Sequence, residues 1–299
     1  LKMLKNALYI LNYHDINWEL GPINSGIGGT FSPEMFNEHL KYLSDDFQFV
    51  SVSDGIDRLR NNNINNPLLS IWFDDGLIGV RKYGFDILES FGIKAALSIN
   101  SNFLLNKEMF WRFKLSYIAS TDGLKVLRSR FKKYGYSIKN NVRDFSINNF
   151  SKDILDVIDL TYEEFSPEYF REDAFRIFDN VEGIKFLLNN GWTIANHSAS
   201  HYPITEQSAI SLMNEEFIKC EREIQQCFGI STQFWVAPFD RLKYRADKLF
   251  EKFNDINDGS KYLVMVGNQI NYQIRDNIIY RLAVPNVNGK NLLKHIKRY

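Results

Sequence analysis

Alternating strand-like and helix-like segments predict an α/β fold for this 299-residue chain, with parallel strands wrapped by outer helices. Three observations carry that expectation. A β-α-β-α-β order runs without a break from Tyr9 into Phe73 and continues to Asn100; the same alternation returns after Val181; and the stretch between, about residues 106–180, departs from it and reads as a helical insertion. At 44% hydrophobic residues the chain can bury a substantial core, and one barrel-sized domain over 1–299 is expected.

The first strand lies in Tyr9-Ile-Leu-Asn-Tyr-His-Asp15, followed by a turn-rich loop over 21–29. Ser32-Pro-Glu34 then supplies a helix N-cap, a proline at the first helical position and an acidic first turn. Met35, Phe36, Leu40 and Leu43 recur at helical spacing. A strand is expected over 47–52, a helix from 53 to 59, an asparagine-rich turn over 61–67, and a strand at Leu68–Phe73. Residues 83–91 are amphipathic and stop at Gly92, and 95–100 form another strand. Within the insertion, 124–133, 152–160 and 162–169 read as helical pieces. The last third holds a helix at Val181–Asn189 stopped by Gly191, a strand at 192–195, a long helix at 204–226, a strand at 233–237, a helix at 244–253, and strands at 262–266 and 278–282.

Composition excludes several classes. Thirty-six basic and 36 acidic residues cancel, so no overall field draws the chain to nucleic acid or anionic lipid. No apolar run approaches the length that spans a bilayer, and the leading segment has no signal-like apolar region, so a cytoplasmic location is expected. Cys220 and Cys227 have no zinc-finger company and read as reduced packing or surface residues.

The chemistry concentrates in two motifs. Ile71-Trp-Phe-Asp-Asp-Gly76 is an apolar strand ending in paired carboxylates, and Asn196-His-Ser-Ala-Ser-His201 carries two of the chain's five histidines. Alone, the first is compatible with a simple turn and the second with a chance pairing on a helix surface. Both, however, follow apolar strands, and the C-terminal ends of strands are where α/β barrels collect catalytic residues. Two imidazoles with one carboxylate form the ligand set of an open catalytic Zn²⁺-type site. Asp74 is then a spare carboxylate beside the metal, placed to act as a base.

These residues resemble the polysaccharide deacetylases of the NodB homology group, carbohydrate esterase family 4. The family's T-F-D-D-G motif is matched by Trp72-Phe-Asp-Asp-Gly76 with Trp for Thr, and its H-[ST]-x-x-H motif by His197-Ser-Ala-Ser-His201 in full. Val236-Ala-Pro-Phe-Asp240 keeps only the Pro-aromatic core of the third motif, without its Arg or Gly. The resemblance spans roughly 8–110 and 185–285 and implies a distorted (β/α)7-type barrel. It also implies that Asp75, His197 and His201 bind a divalent metal (zinc, with cobalt, nickel or manganese as alternatives) and that Asp74 is the general base. The family's late catalytic histidine has no counterpart. In the permuted biofilm poly-N-acetylglucosamine branch, a Tyr-His at the end of the first strand resembles Tyr13-His14, which makes His14 the expected acid; the alternative is a buried histidine bonded to backbone. Arg281 is expected either to replace the missing arginine that orients the base or to form a structural ion pair.

The function implied is metal-assisted hydrolysis of an N-acyl group, acetyl or formyl, from an amino sugar of a surface-glycan precursor or polysaccharide. A backbone N–H near Phe239 is expected to help hold the oxyanion. Trp111 is expected either to stack on a sugar in the cleft or to plug the core. The competing readings are another amide hydrolase or deformylase on the same fold, and a degenerate domain that binds glycan or a partner.

Overall fold

Runs that are apolar on both faces belong in parallel strands between two packed layers. Leu8–Tyr13 and Leu68–Phe73 behave this way, with every residue buried. The structure, a computed structural model, describes residues 3–19, 21, 29–138, 141–166, 177–203, 213–239, 251, 253–255 and 259–299. Its strands are β1 (Leu8–Tyr13), β2 (Asp15–Ile16), β3 (Thr30–Phe31), β4 (Gln48–Phe49), β5 (Leu68–Phe73), β6 (Ala96–Ile99), β7 (Thr193–Asn196), β8 (Phe234–Val236), β9 (Tyr262–Met265), β10 (Ile278–Tyr280) and β11 (Leu282–Ala283).

The main sheet runs β10-β9-β8-β7-β6-β5-β1-β11, with β4 beside β5, and β2 and β3 form a separate pair. All these pairings are parallel. The two ends of the path are one extended run divided at Arg281: Ile278–Tyr280 pairs with β9, and Leu282 pairs with Leu11 of β1. The first and last strands therefore meet, and the eight strands form a nearly closed barrel. Counting the divided run as one stave gives the (β/α)7-type arrangement.

The strand period of two sorts each stave into an inner and an outer face. Leu8, Ile10, Leu68, Trp72, Ala96, Ala195, Val236, Val264 and Ile279 share one apolar cluster, while their neighbours Tyr9, Leu11, Leu69, Ile71, Leu97 and Ile194 belong to another that includes the helices. Helix Val52–Arg60 packs on the N-terminal end of the first cluster, where a Cβ on Gly55 would lie 2.6 Å from Leu8. Continuing the inner parity toward the strands' C-terminal ends reaches Asn12, Asp74, Ser98, His197 and Arg281. One end of the barrel is thus polar because the alternation places these five residues inward where the apolar filling stops.

The helical insertion is present as helices Trp111–Ala119, Gly123–Lys133, Val142–Asn148 and Lys152–Phe165. Its aromatic cluster includes Leu77 and Phe103 from the barrel rim, so it is built onto the polar end. Several boundaries differ from expectation. The strand over 47–52 shrinks to β4, because Ser51 caps the next helix through Asp54 N at 3.2 Å. The pieces at 152–160 and 162–169 merge, within the described residues, into one helix ending at Phe165. The segment at 83–91 begins as a wide π turn, Val80–Gly84, before helix Phe85–Ser90. Of the 204–226 helix only Met213–Ile218 and Lys219–Phe228 are described; the loop at 22–28, Asp240 and nearly all of the 244–253 helix lie outside the described residues. No helix of the described residues is long and apolar enough to cross a membrane.

Candidate active site

Asp74 follows β5 directly, with its backbone N–H donating to Tyr13 O at 3.1 Å. Asp74 is 3% exposed, and three side-chain donors converge on its carboxylate. Arg281 Nη1 donates to Oδ1 at 2.7 Å, Ser98 Oγ donates to the same oxygen, and Asn12 Nδ2 donates to Oδ2 at 3.0 Å. Arg281 also reaches Asn12 Oδ1 at 2.9 Å, which fixes the Asn12 amide. Burial by itself raises the Asp74 pKa, but Arg281, His197 and His14 together outweigh it and hold the carboxyl well below its usual range. Trp72, where the family motif has Thr, supports this arrangement from below. Its ring lies 5.2 Å from the Arg281 guanidinium carbon and its Nε1 donates to Ser98 Oγ at 3.4 Å.

By strict alternation Asp75 would face outward. Its φ of 71° and that of Gly76, 67°, instead turn the chain, and Asp75 Oδ1 lies 3.5 Å from His197 Nε2 and 3.4 Å from His201 Nε2. A left-handed conformation costs a non-glycine residue about 1 kcal/mol or more, and such outliers gather at functional sites. The histidine motif is not helical: Ser198 and His201 also have positive φ, 67° and 54°, so the two rings approach from a loop at 4.5 Å between centroids. The loop is pinned by Asn100, whose Nδ2 donates to Ser198 O at 3.1 Å, and by Glu216, which accepts from Ser200 N at 2.6 Å.

Asp75, His197 and His201 each offer a ligand atom, all within 4.8 Å of one another. Both Asp75 oxygens are buried without a hydrogen bond. Burial, then the Asp74 charge, pushes Asp75 up to about 7. His197 Nδ1 lies 3.0 Å from Val236 O; since only an N–H can meet a carbonyl, Nε2 keeps its lone pair toward Asp75. A cluster of two neutral imidazoles and a costly unpartnered carboxylate fits a divalent cation.

His14 lines the same cavity, of about 600 Å³, as Asp74, His197, His201 and Arg281. Gly29, with φ 78°, closes over its ring so tightly that a Cβ there would lie 2.7 Å from Nδ1. Burial takes the imidazole down to about 4, although Asp74 pulls the other way. Phe239 (φ 52°) also lines the cavity, and its ring meets His201 edge-on at 4.7 Å. Trp111 sits elsewhere: 3% exposed, it packs on Phe150 and Phe239 and its Nε1 donates to the His201 carbonyl at 3.4 Å. Its neighbour Arg112 takes the place in the cavity wall. Asn12 and Ser98 belong to neither motif; their signal along the chain is being polar at inner positions of otherwise apolar strands.

A family model for polysaccharide deacetylase matches residues 61–254. The chain belongs to the polysaccharide deacetylase family. That match leaves out β1 and His14, whereas solved structures of the same fold cover the chain almost completely. The deacetylase PplD of Streptococcus pyogenes, in complex with acetate, is 15% identical with a TM-score of 0.62, covering 97% of this chain and 98% of that one. IcaB from Ammonifex degensii is 13% identical with a TM-score of 0.62 over 100% of both chains. A de-N-acetylase from Aggregatibacter actinomycetemcomitans is 14% identical with a TM-score of 0.60, covering 97% and 99%. No curated protein matches the chain by sequence. Family and fold together support a de-N-acetylase, with the first strand closing against the last as the likeness to the permuted branch implies.

Proposed function

We propose that this protein is a metal-dependent hydrolase that removes an N-acyl group, acetyl first, from an amino sugar. The observation that carries the proposal is the Asp75–His197–His201 cluster, whose two histidines line one cavity together with Asp74. Asp75, His197 and His201 would hold the ion, zinc first. When bound, a divalent ion supplies Lewis acidity, polarising the acyl oxygen and easing deprotonation of a water.

The remaining work falls to the chain. Asp74, kept ionised by Arg281 and held at both oxygens by Asn12, Ser98 and Arg281, accepts the proton of the attacking water. The donors also stop the carboxylate from turning toward the metal ligands. Phe239 is proposed to supply a backbone N–H to the oxyanion. His14, facing the same cavity, hands a proton to the departing nitrogen. As burial keeps it neutral at pH 7 before turnover, that proton is one gained during the reaction, from water by way of Asp74. Acetate in the streptococcal deacetylase structure supports acetyl as the group removed. A degenerate binding domain would have no use for two adjacent buried carboxylates, whose desolvation and repulsion are costly without a cation.

The test is acetate and formate release from a panel of N-acylated amino sugars, with wild type and Asp74→Asn. Acetate release by metal-loaded wild type, lost in a variant that still binds metal, is expected. Formate release alone would move the assignment to a deformylase, and a variant that loses the metal would put Asp74 among the ligands.

A further inference from the structure

Asp74 and Asp75 are held in opposite ways. Three side-chain donors fix the Asp74 carboxylate, whereas both oxygens of Asp75 are buried without a hydrogen bond. The aim of Asp75 at His197 and His201 is therefore set by its backbone, which holds a φ of 71° in the left-handed region. Such a conformation persists where the surroundings over-determine it. At this turn the surroundings include the last residues of the helical insertion, 177–180, which return to the barrel beside it.

The returning segment is stitched to residues 76–81. Asp179 N donates to Gly76 O at 2.8 Å and Ile78 N donates to Ile177 O at 2.9 Å, so that Leu77 and Phe178 form an antiparallel bridge. Arg81 then donates to Asp179 through two nitrogens, Nε to Oδ2 at 2.6 Å and Nη2 to Oδ1 at 2.9 Å. A bidentate fork of this kind fixes direction as well as distance. Because Arg81 lies in the π turn Val80–Gly84, the pair ties the far end of the turn to the same segment that holds its near end at Gly76. Phe178 anchors that segment by stacking 4.7 Å from Phe103 of the barrel rim and 5.3 Å from Phe113 of the insertion. Gly183, in helix Val181–Asn189, leaves room for the pair: a Cβ there would collide with the Asp179 carboxylate and lie 2.6 Å from Arg81 Nε.

We propose that Asp179 and Arg81 are positioning residues for the metal ligand Asp75: by clamping residues 76–81 against the end of the insertion, they hold the left-handed turn that points its carboxylate at the two histidines. The role of Asp75 as a ligand rests on the metal-dependent reading above; the clamp on the turn does not. Neither Asp179 nor Arg81 belongs to the ligand cluster or lines the cavity, so they act on the ion through Asp75. Partners that orient a metal ligand are typically worth roughly 10–100-fold in metal affinity. By reciprocity, an ion bound at Asp75 tightens the clamp.

The test is metal binding, so that it does not depend on turnover. Zn²⁺ affinity is measured by competition with a chelating dye for wild type, Asp179→Asn and Gly183→Ala, well below the melting temperature of each. Amide hydrogen exchange at Ile78 is followed in the same proteins with and without Zn²⁺. Asp179→Asn strands no charge in the interior, because the Arg81 side chain is 28% exposed and stays solvated. Gly183→Ala changes no charge at all and would ordinarily steady a helix. Both variants should bind Zn²⁺ roughly 10–100-fold more weakly than wild type, with faster exchange at Ile78. Arg81→Lys keeps the charge without the fork and should lose less than Asp179→Asn. In wild type, Zn²⁺ should slow exchange at Ile78. Variants that melt at lower temperature yet bind Zn²⁺ as tightly as wild type would overturn the positioning role and leave the pair purely structural. Wild type that binds no Zn²⁺ would remove the metal reading instead. Unchanged exchange at Ile78 in Asp179→Asn would then overturn the clamp as well, and faster exchange would leave it standing.

Discussion

Replacing Arg281 with methionine is the sharpest test of how the site is held. The guanidinium is 1% exposed and lies 2.7 Å from a carboxylate that is itself buried. At an effective dielectric of about 20 the pair attracts by roughly 6 kcal/mol before desolvation is subtracted. Removing one partner of a buried pair typically costs about 3–5 kcal/mol, because the other charge is left stranded. In Arg281→Met the stranded group is Asp74, whose burial alone raises its pKa. The sign of the pH dependence follows. In wild type the Asp74 pKa is depressed, so its contribution to stability is present above the unfolded value of about 3.9 and is lost as pH falls through the folded value. In the variant the folded pKa rises above the unfolded one, so the folded state is favoured at low pH and penalised as pH climbs. The cost of Arg281→Met should therefore be about 3–5 kcal/mol at pH 7 and markedly less near pH 4. Chelator-treated wild type and variant, unfolded in urea at both pH values, give that difference directly. Asp74→Asn/Arg281→Met, which strands no charge, should be more stable at pH 7 than Arg281→Met alone. An equal cost at both pH values, or a cost below about 1 kcal/mol at pH 7, would refute the buried pair as the device that keeps Asp74 ionised.

Two further outcomes are expected. Wild type should carry about one equivalent of divalent metal by elemental analysis, as a three-ligand open site implies. His197→Ala and His201→Ala should each lose it, and full occupancy in both would end the ligand assignment. His14→Ala should leave metal content and melting unchanged while lowering kcat by about 10²–10⁴-fold. A loss under tenfold would be too small for proton delivery, and the proton source would then have to be sought at solvent or Arg281.

Much of this protein is legible along the chain because strands advertise themselves locally. Apolar runs such as Leu68–Phe73 mark the staves, and the polar residues that end them mark which rim does chemistry, which is how Asp74, Asp75, His197, His201 and His14 stand out in the primary sequence. What the sequence does not contain is distance across the closed barrel. Arg281 lies 207 positions from Asp74, and Asn12 lies 62 positions from it, yet the three hydrogen-bond because Leu282 pairs with Leu11 and closes the sheet at that point. The histidine motif likewise spells a helical i, i+4 pair, but left-handed turns at Ser198 and His201, held by Asn100 and Glu216, set its rings from a loop. Packing also chooses between Trp111 and Arg112. A helix beginning at Trp111 buries the indole behind His201 and turns the next side chain into the cavity wall. Local pattern determines which residues are available to the site; only long-range closure and packing decide which of them touch, because contact energy depends on separation in space and not along the chain.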